Sequence, residues 1–107
     1  MVAHFEVSFS AKAVEDLDRL FQYIAEHSSA EVADGYLARI EELCLSLRTF
    51  PNRGTAVEGA LEGLRYVGFE HRATILFRVG ETKVEVLRIL YGGRNLEAAF
   101  DNIDEVI

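Results

Sequence analysis

One stretch constrains the fold of this chain more than any other: Arg72–Tyr91, RATILFRVGETKVEVLRILY, followed at once by Gly92-Gly93-Arg94-Asn95. Two apolar runs, Ala73–Val79 and Val84–Tyr91, flank Gly80-Glu81-Thr82-Lys83 and alternate with polar residues, so the stretch reads as a β-hairpin. Charge decides the loop. A two-residue loop at Gly80-Glu81 sets Arg78 against Lys83, like against like. A four-residue loop, Gly80–Lys83, sets Arg78 against Glu85, Leu76 against Leu87 and Phe77 against Val86. Favourable opposed pairs contribute about 0.2–1 kcal/mol each, so the four-residue loop is expected. One face then carries Ala73, Ile75, Phe77, Val79, Val84, Val86 and Leu90 as a continuous core surface. The other carries Thr74, Leu76, Arg78, Glu85, Leu87, Ile89 and Tyr91, which is mixed and partly open.

The chain has 107 residues, half of them apolar, enough for one domain spanning 1–107 with one core. No apolar run approaches the roughly 20 residues that span a bilayer. The start, MVAHFEVSFS, has neither a basic segment nor a cleavable apolar stretch. These features imply a soluble cytoplasmic protein with no membrane contact. The single cysteine, Cys44, has no internal partner and lies on an apolar helix face, where it reads as a buried small hydrophobe. A net charge of −7 repels phosphate at long range and weighs against direct nucleic-acid binding. The helical half and the last residues are acidic, while 51–94 is net positive. Nine arginines accompany only two lysines, Lys12 and Lys83, which favours directional contacts over diffuse attraction.

In chain order, Ala3–Phe9 alternates as a short strand, with Phe5, Val7 and Phe9 on one face. Ser10 stands at an N-cap position for a helix running to about Glu26, with an apolar stripe of Ala13, Val14, Leu17, Leu20, Phe21, Ile24 and Ala25. Asp16 falls with Lys12, Glu15 and Arg19 on the polar side. Ser28-Ser29-Ala30-Glu31 is a capping box that opens a second helix. Its stripe is Ala33, Tyr36, Leu37, Ile40, Leu43, Cys44, Leu47 and Phe50, and Pro51 stops it. Two such helices with so short a joint fold back as an antiparallel hairpin. Thr55–Gly63 has no period and reads as loop, with room for a short helical turn. Leu64–Phe69 is a strand leading into the hairpin, and Leu96–Ile103 suits a short acidic helix. The order β, α, α and three strands implies α+β: an N-terminal strand and an antiparallel helical hairpin packed on a small antiparallel β-meander. The first strand joins beside the second or the last strand of the three.

Several chemistries are set aside. His4, His27, His71 and Cys44 lack zinc spacing, and no glycine-rich loop opens a helix with a lysine, so neither metal nor cofactor is implied. The serines are explained as caps, and no histidine accompanies a nucleophile, so no catalytic set is assigned. What remains is the arginine set Arg53, Arg65, Arg72, Arg88 and Arg94, four of which converge near Tyr91 if the meander is small. One reading is a contact surface for a phosphate or partner. The other is structural, with Arg65 and Arg88 paired to Glu58, Glu62 or the acidic tail; the core parity of Arg88 favours that second reading for it.

Taken together, FSxxAxxDLDRLFxYI, a second helix closing on LxxFPxxG, then EGLRY, ATILFRV and VLRILYGGRNL resemble the ParE-type toxins of bacterial type II toxin–antitoxin systems, within the RelE/ParE superfamily. Phe50–Gly54, Gly63–Arg65 and Leu87–Asn95 carry the resemblance most specifically. It implies a toxin held by a cognate ParD-like antitoxin. RelE-like members cleave messenger RNA on the ribosome; Arg72 and Arg94 match two of their arginines. Their strand lysines are absent from Leu64–Phe69, and Phe100 stands near their tyrosine, where a phenyl ring exchanges no proton. ParE-like members instead resemble poisons of DNA gyrase, which implies Arg65, Arg72, Tyr91 and Arg94 as target-binding residues. The ParE-like ending usually reads His-Gly-Arg-Arg-Asp, whereas here it is Tyr91-Gly92-Gly93-Arg94-Asn95. A member that binds antitoxin with weak toxicity therefore stands beside the gyrase and nuclease readings.

Overall fold

The computed structural model describes residues 4–59 and 61–92. Its elements are β1 (Glu6–Phe9), α1 (Ala11–His27), α2 (Ala30–Ser46), β2 (Thr55–Ala56), β3 (Leu64–Phe69), β4 (Ala73–Val79) and β5 (Lys83–Tyr91). Both helices start where the serines dictate. The Ser10 side chain accepts the Ala13 N–H at 3.0 Å, and that of Ser29 accepts the Val32 N–H at 3.1 Å, each satisfying a donor without a helical partner.

The five strands form one sheet in the order β1-β5-β4-β3-β2. β3, β4 and β5 are the antiparallel meander, while β1 pairs parallel with β5, Val7 opposite Val84 and Phe9 opposite Val86. The sheet is therefore mixed, and the first strand lies beside the last. β2 was not expected: Thr55 and Ala56 pair with Tyr66 and Arg65 in a stretch that reads as loop. Gly54 admits the chain to that edge. Its φ is +74°, and a Cβ there would stand 2.0 Å from the Tyr66 carbonyl oxygen, so only glycine fits. No helix among the described residues is long and apolar enough to cross a membrane.

The hairpin obeys its charges near the loop and departs from them further on. Arg78 faces Glu85 and Phe77 faces Val86, as the four-residue loop requires. Leu76 then faces Arg88 rather than Leu87, because a bulge inserts one extra residue into β5. Beyond it the faces exchange. Ile89 and Tyr91 join the helix-side core with Ile75, Phe77, Val84 and Val86, whereas Leu87 and Leu90 join Leu64 and Leu76 in a second cluster. That second face is closed, with Leu76, Leu87 and Leu90 all buried.

The bulge has a cause in α1. Ser10 donates its backbone N–H to the Val86 carbonyl at 2.9 Å and its hydroxyl to the Leu87 carbonyl at 2.7 Å. Asp16 then accepts the Ile89 N–H at 3.0 Å and a two-pronged contact from Arg88, at 2.7 and 3.0 Å. Where β1 ends, the first turns of α1 thus take over the hydrogen bonding of β5. Asp16 is buried, not on a solvated face, because it follows Ala13 by three residues and precedes Leu20 by four, on the same stripe. Leu20, Ile24, Ile40, Leu47, Ile75, Phe77 and Val86 are buried as expected, but Leu17 and Leu37 are only half-buried. α2 stops four residues earlier than Phe50, its last turn tightened by Leu47 donating to Cys44 and Leu45, and Phe50 is exposed.

Candidate functional site

At the end of the sheet where β4 begins and β5 finishes, four aromatic side chains and a histidine meet. Tyr23 and His27, four residues apart on α1, stack with centroids 4.2 Å apart. His27 Nδ1 lies 2.8 Å from the Tyr23 carbonyl, which can only accept, so that nitrogen carries the hydrogen. Tyr91 meets Tyr23 at 5.9 Å and Tyr36 edge-on at 5.8 Å, and Tyr36 meets Phe69 edge-on at 5.4 Å. Two adjoining clefts open here and share Tyr23, Tyr91 and Gly92. One, of about 280 Å³, is lined also by Asp16 and Arg19; the other, of about 310 Å³, by His27, Ser28 and Arg72.

The turn before β4 sets one wall. Glu70 and His71 have φ of 50° and 60°, and the turn closes with the Arg72 N–H on the Phe69 carbonyl at 3.1 Å. The Arg72 carbonyl accepts the Gly92 N–H at 3.0 Å, which ties this turn to the end of β5. Arg39 grips Glu70 with two bonds of 2.8 and 3.2 Å and lies over the Tyr36 ring at 5.4 Å. That hydrogen-bonded pairing holds the Glu70 carboxyl below its ordinary range and the Arg39 guanidinium above its own. Burial, reinforced by Tyr91 and Glu70, raises the Tyr36 phenol, with Arg39 and Arg72 pulling the other way.

Of the residues singled out in the sequence, Arg72 and Tyr91 come together here. Arg94 lies outside the described residues, as do Phe100 and the stretch Leu96–Ile103. Arg65 sits opposite Phe77, toward the other end of β3, and donates to the carbonyls of Asn52, Arg53 and Gly54 at 2.7, 3.0 and 3.2 Å. It pins the loop after α2 rather than pairing with Glu58 or Glu62. Arg88 pairs with Asp16, and Arg53 reaches the Ser46 hydroxyl at 2.8 Å. The expected convergence of four arginines thus reduces to Arg72 among the described residues, with Arg19 added. Tyr23, His27 and Arg19 were missed. The four-residue spacing of Tyr23 and His27 on one helix was the available signal. No group of three metal-ligating side chains occurs among the described residues.

A third groove, of about 400 Å³, runs between β1 and the two helices. Phe9, Val14, Leu17, Leu37 and Leu45 line it, with Asp18 and Glu41 beside them. Val14 and Leu45 are each about half exposed, at 48% and 50%.

A helical pair laid on a mixed five-stranded sheet is an α+β fold shared with chains of two solved toxin–antitoxin systems. A chain of a chromosomal ParDE toxin–antitoxin system from P. aeruginosa superposes with a TM-score of 0.72, at 23% identity over 84% of this chain and 98% of that one. A chain of the RelBE2 toxin–antitoxin complex from Mycobacterium tuberculosis gives 0.63, at 23% identity over 85% and 94%. Sequence narrows the class. The model of the ParE toxin of type II toxin–antitoxin systems matches residues 7–96. Toxin ParE3 of Caulobacter vibrioides is 36% identical over 83 residues, 78% of this chain and 82% of that protein. The chain belongs to the ParE toxin family.

Proposed function

We propose that this toxin is neutralised by a cognate ParD-like antitoxin and acts in the cytoplasm by binding DNA gyrase, not by cutting RNA. Arg72 and Tyr91 belong to the contact surface, with Arg94 just beyond the described residues. The observation that carries this choice is the state of Arg65. It is the sole cation on β3, and its guanidinium is engaged by three loop carbonyls. A nuclease of the RelE kind needs cations free to meet the charge that develops on phosphate, and β3 offers none. A poison that works by occupying its target has no such need.

The antitoxin reading rests on the family and on the groove between β1 and the helices. Its apolar floor suits the apolar face of a helix, and Asp18 and Glu41 suit basic residues flanking that face. The ParDE and RelBE2 chains that this fold matches come from toxin–antitoxin systems, which supports a partner of the same kind.

Inducible expression in a bacterial host, with and without the neighbouring gene product, measures toxicity and neutralisation. Supercoiling by purified gyrase and primer extension on translated messenger RNA then identify the target. Loss of supercoiling with intact RNA is expected. Codon-specific cuts with normal supercoiling would replace this reading by the nuclease one, and no effect in either assay would leave an antitoxin-binding protein of weak toxicity.

A further inference from the structure

The turn that leads into β4 is bent against the preferences of its own residues. Glu70 and His71 hold φ of 50° and 60°, the left-handed region where a Cβ crowds the backbone. Two such positions in a row are ordinarily filled by asparagine and glycine. Those residues would make the same turn with less strain, but neither offers a carboxylate to α2. Glu70 does: Arg39 holds it by two bonds of 2.8 and 3.2 Å. Both side chains are about half exposed, at 52% and 42%, so the pair adds little to stability, whereas its two-pronged geometry fixes direction. Strain kept where stability gains so little points to a task in positioning.

What the clamp positions follows from its neighbours. Arg39 lies over the Tyr36 ring at 5.4 Å, three residues away on the same face of α2. That one ring meets Phe69 edge-on just before the turn and Tyr91 edge-on at the end of β5. The backbone closes the circuit. The Arg72 N–H bonds the Phe69 carbonyl at 3.1 Å, and the Arg72 carbonyl accepts the Gly92 N–H at 3.0 Å. Arg72 is exposed and takes part in no ion pair among the described residues. Its backbone is thus held on both sides while its guanidinium stays open to a partner.

We propose that Arg39 and Glu70 are positioning residues, which lock the turn onto α2 so that Arg72 stands fixed in the cleft it shares with Tyr91 before a partner arrives. The proposal rests on the reading that Arg72 and Tyr91 belong to the contact surface, and is independent of whether the partner is gyrase. A side chain and turn ordered in advance lose less freedom on docking, which amounts to about fivefold in affinity.

Two variants of the full chain break the clamp with different effects on the turn. Glu70→Asn suits the left-handed backbone and should leave the thermal midpoint unchanged or raised, whereas Arg39→Met keeps an apolar stem and leaves the strain in place. Both should nevertheless lower the order parameters of the Arg72 and Gly92 amides, measured by nitrogen relaxation, from about 0.85 towards about 0.6. Both should also raise about fivefold the toxin level that arrests growth. The double variant should be no worse than either single one, because the same interaction is lost in all three. Unchanged order in either single variant, losses that add in the double, or full toxicity where Arg72→Ala has lost it overturns the proposal. Full toxicity in Arg72→Ala itself rejects the contact reading instead, and the order parameters then decide the clamp alone.

Discussion

Replacing Asp16 by alanine tests how the end of β5 is held. The carboxylate accepts Arg88 Nε at 2.7 Å, Arg88 Nη2 at 3.0 Å and the Ile89 N–H at 3.0 Å. The Arg88 and Asp16 side chains are 18% and 8% exposed. Removing one member of a fully buried pair costs about 3–5 kcal/mol, because the other charge stays behind unpaired. Arg88 keeps enough contact with water to lower its share to about 2 kcal/mol, and the Ile89 N–H adds about 1–2 kcal/mol as an unmet donor. Asp16→Ala should therefore cost about 3–4 kcal/mol, a large part of the roughly 5–15 kcal/mol that stabilises a domain of this kind. Asp16→Asn keeps an oxygen for Ile89 and should cost about half as much. Adding Arg88→Met to Asp16→Ala removes the stranded charge, so the double variant should recover about 1–3 kcal/mol relative to the sum of the single changes. Urea denaturation followed by circular dichroism, with an unchanged slope against denaturant, measures each term. A loss below about 0.5 kcal/mol for Asp16→Ala, or strict additivity in the cycle, would refute the account of β5.

Burial, with a smaller contribution from Glu41, pushes the Cys44 thiol from 9.0 up to about 12. The folded chain thus keeps a proton that the unfolded chain loses, so stability should fall by about 1.4 kcal/mol per pH unit as pH rises from 9 towards 12. Cys44→Ala removes that slope, and a thiol reagent should react only as the protein unfolds. Because Glu70 and His71 both hold positive φ, His71→Gly should stabilise the fold by about 0.5–1 kcal/mol in thermal melts; a loss would mean the His71 side chain has a task of its own. Arg72→Ala and Arg94→Ala should each leave stability within about 0.5 kcal/mol of the parent yet weaken toxicity in the induction assay. Gly54→Ala should destabilise severely, since its Cβ has no room against the Tyr66 carbonyl, and an unchanged melt would refute the placement of β2.

The cleft at the end of β5 was legible in part. Arg72 and Tyr91 stood out because they frame the hairpin, and the structure brings them to adjoining positions through the bond between the Arg72 carbonyl and Gly92. Arg65 looked equally available as a letter in the sequence. What occupies it, the carbonyls of Asn52, Arg53 and Gly54, are backbone groups, and a pattern of side chains does not show where backbone acceptors will point. Tyr36 was recognised as a core residue, but that its hydroxyl would lack a partner depends on every neighbour around it.

What the sequence by itself determined is local chemistry: two capped helices of 3.6-residue period, the turn before β4, and the β4–β5 register next to the loop, where Arg78 meets Glu85. Each depends on residues within a few positions of one another. The tertiary structure alone decided the parallel docking of β1, the bulge at Leu87 and hence which face Ile89, Leu90 and Tyr91 present. The physical reason is that a strand repeats every two residues, so one inserted residue reverses every side chain after it. The groups that fix the insertion, the Ser10 hydroxyl on Leu87 and the Asp16 carboxylate on Ile89, arrive from 77 and 73 residues away, where no local pattern in the strand records them.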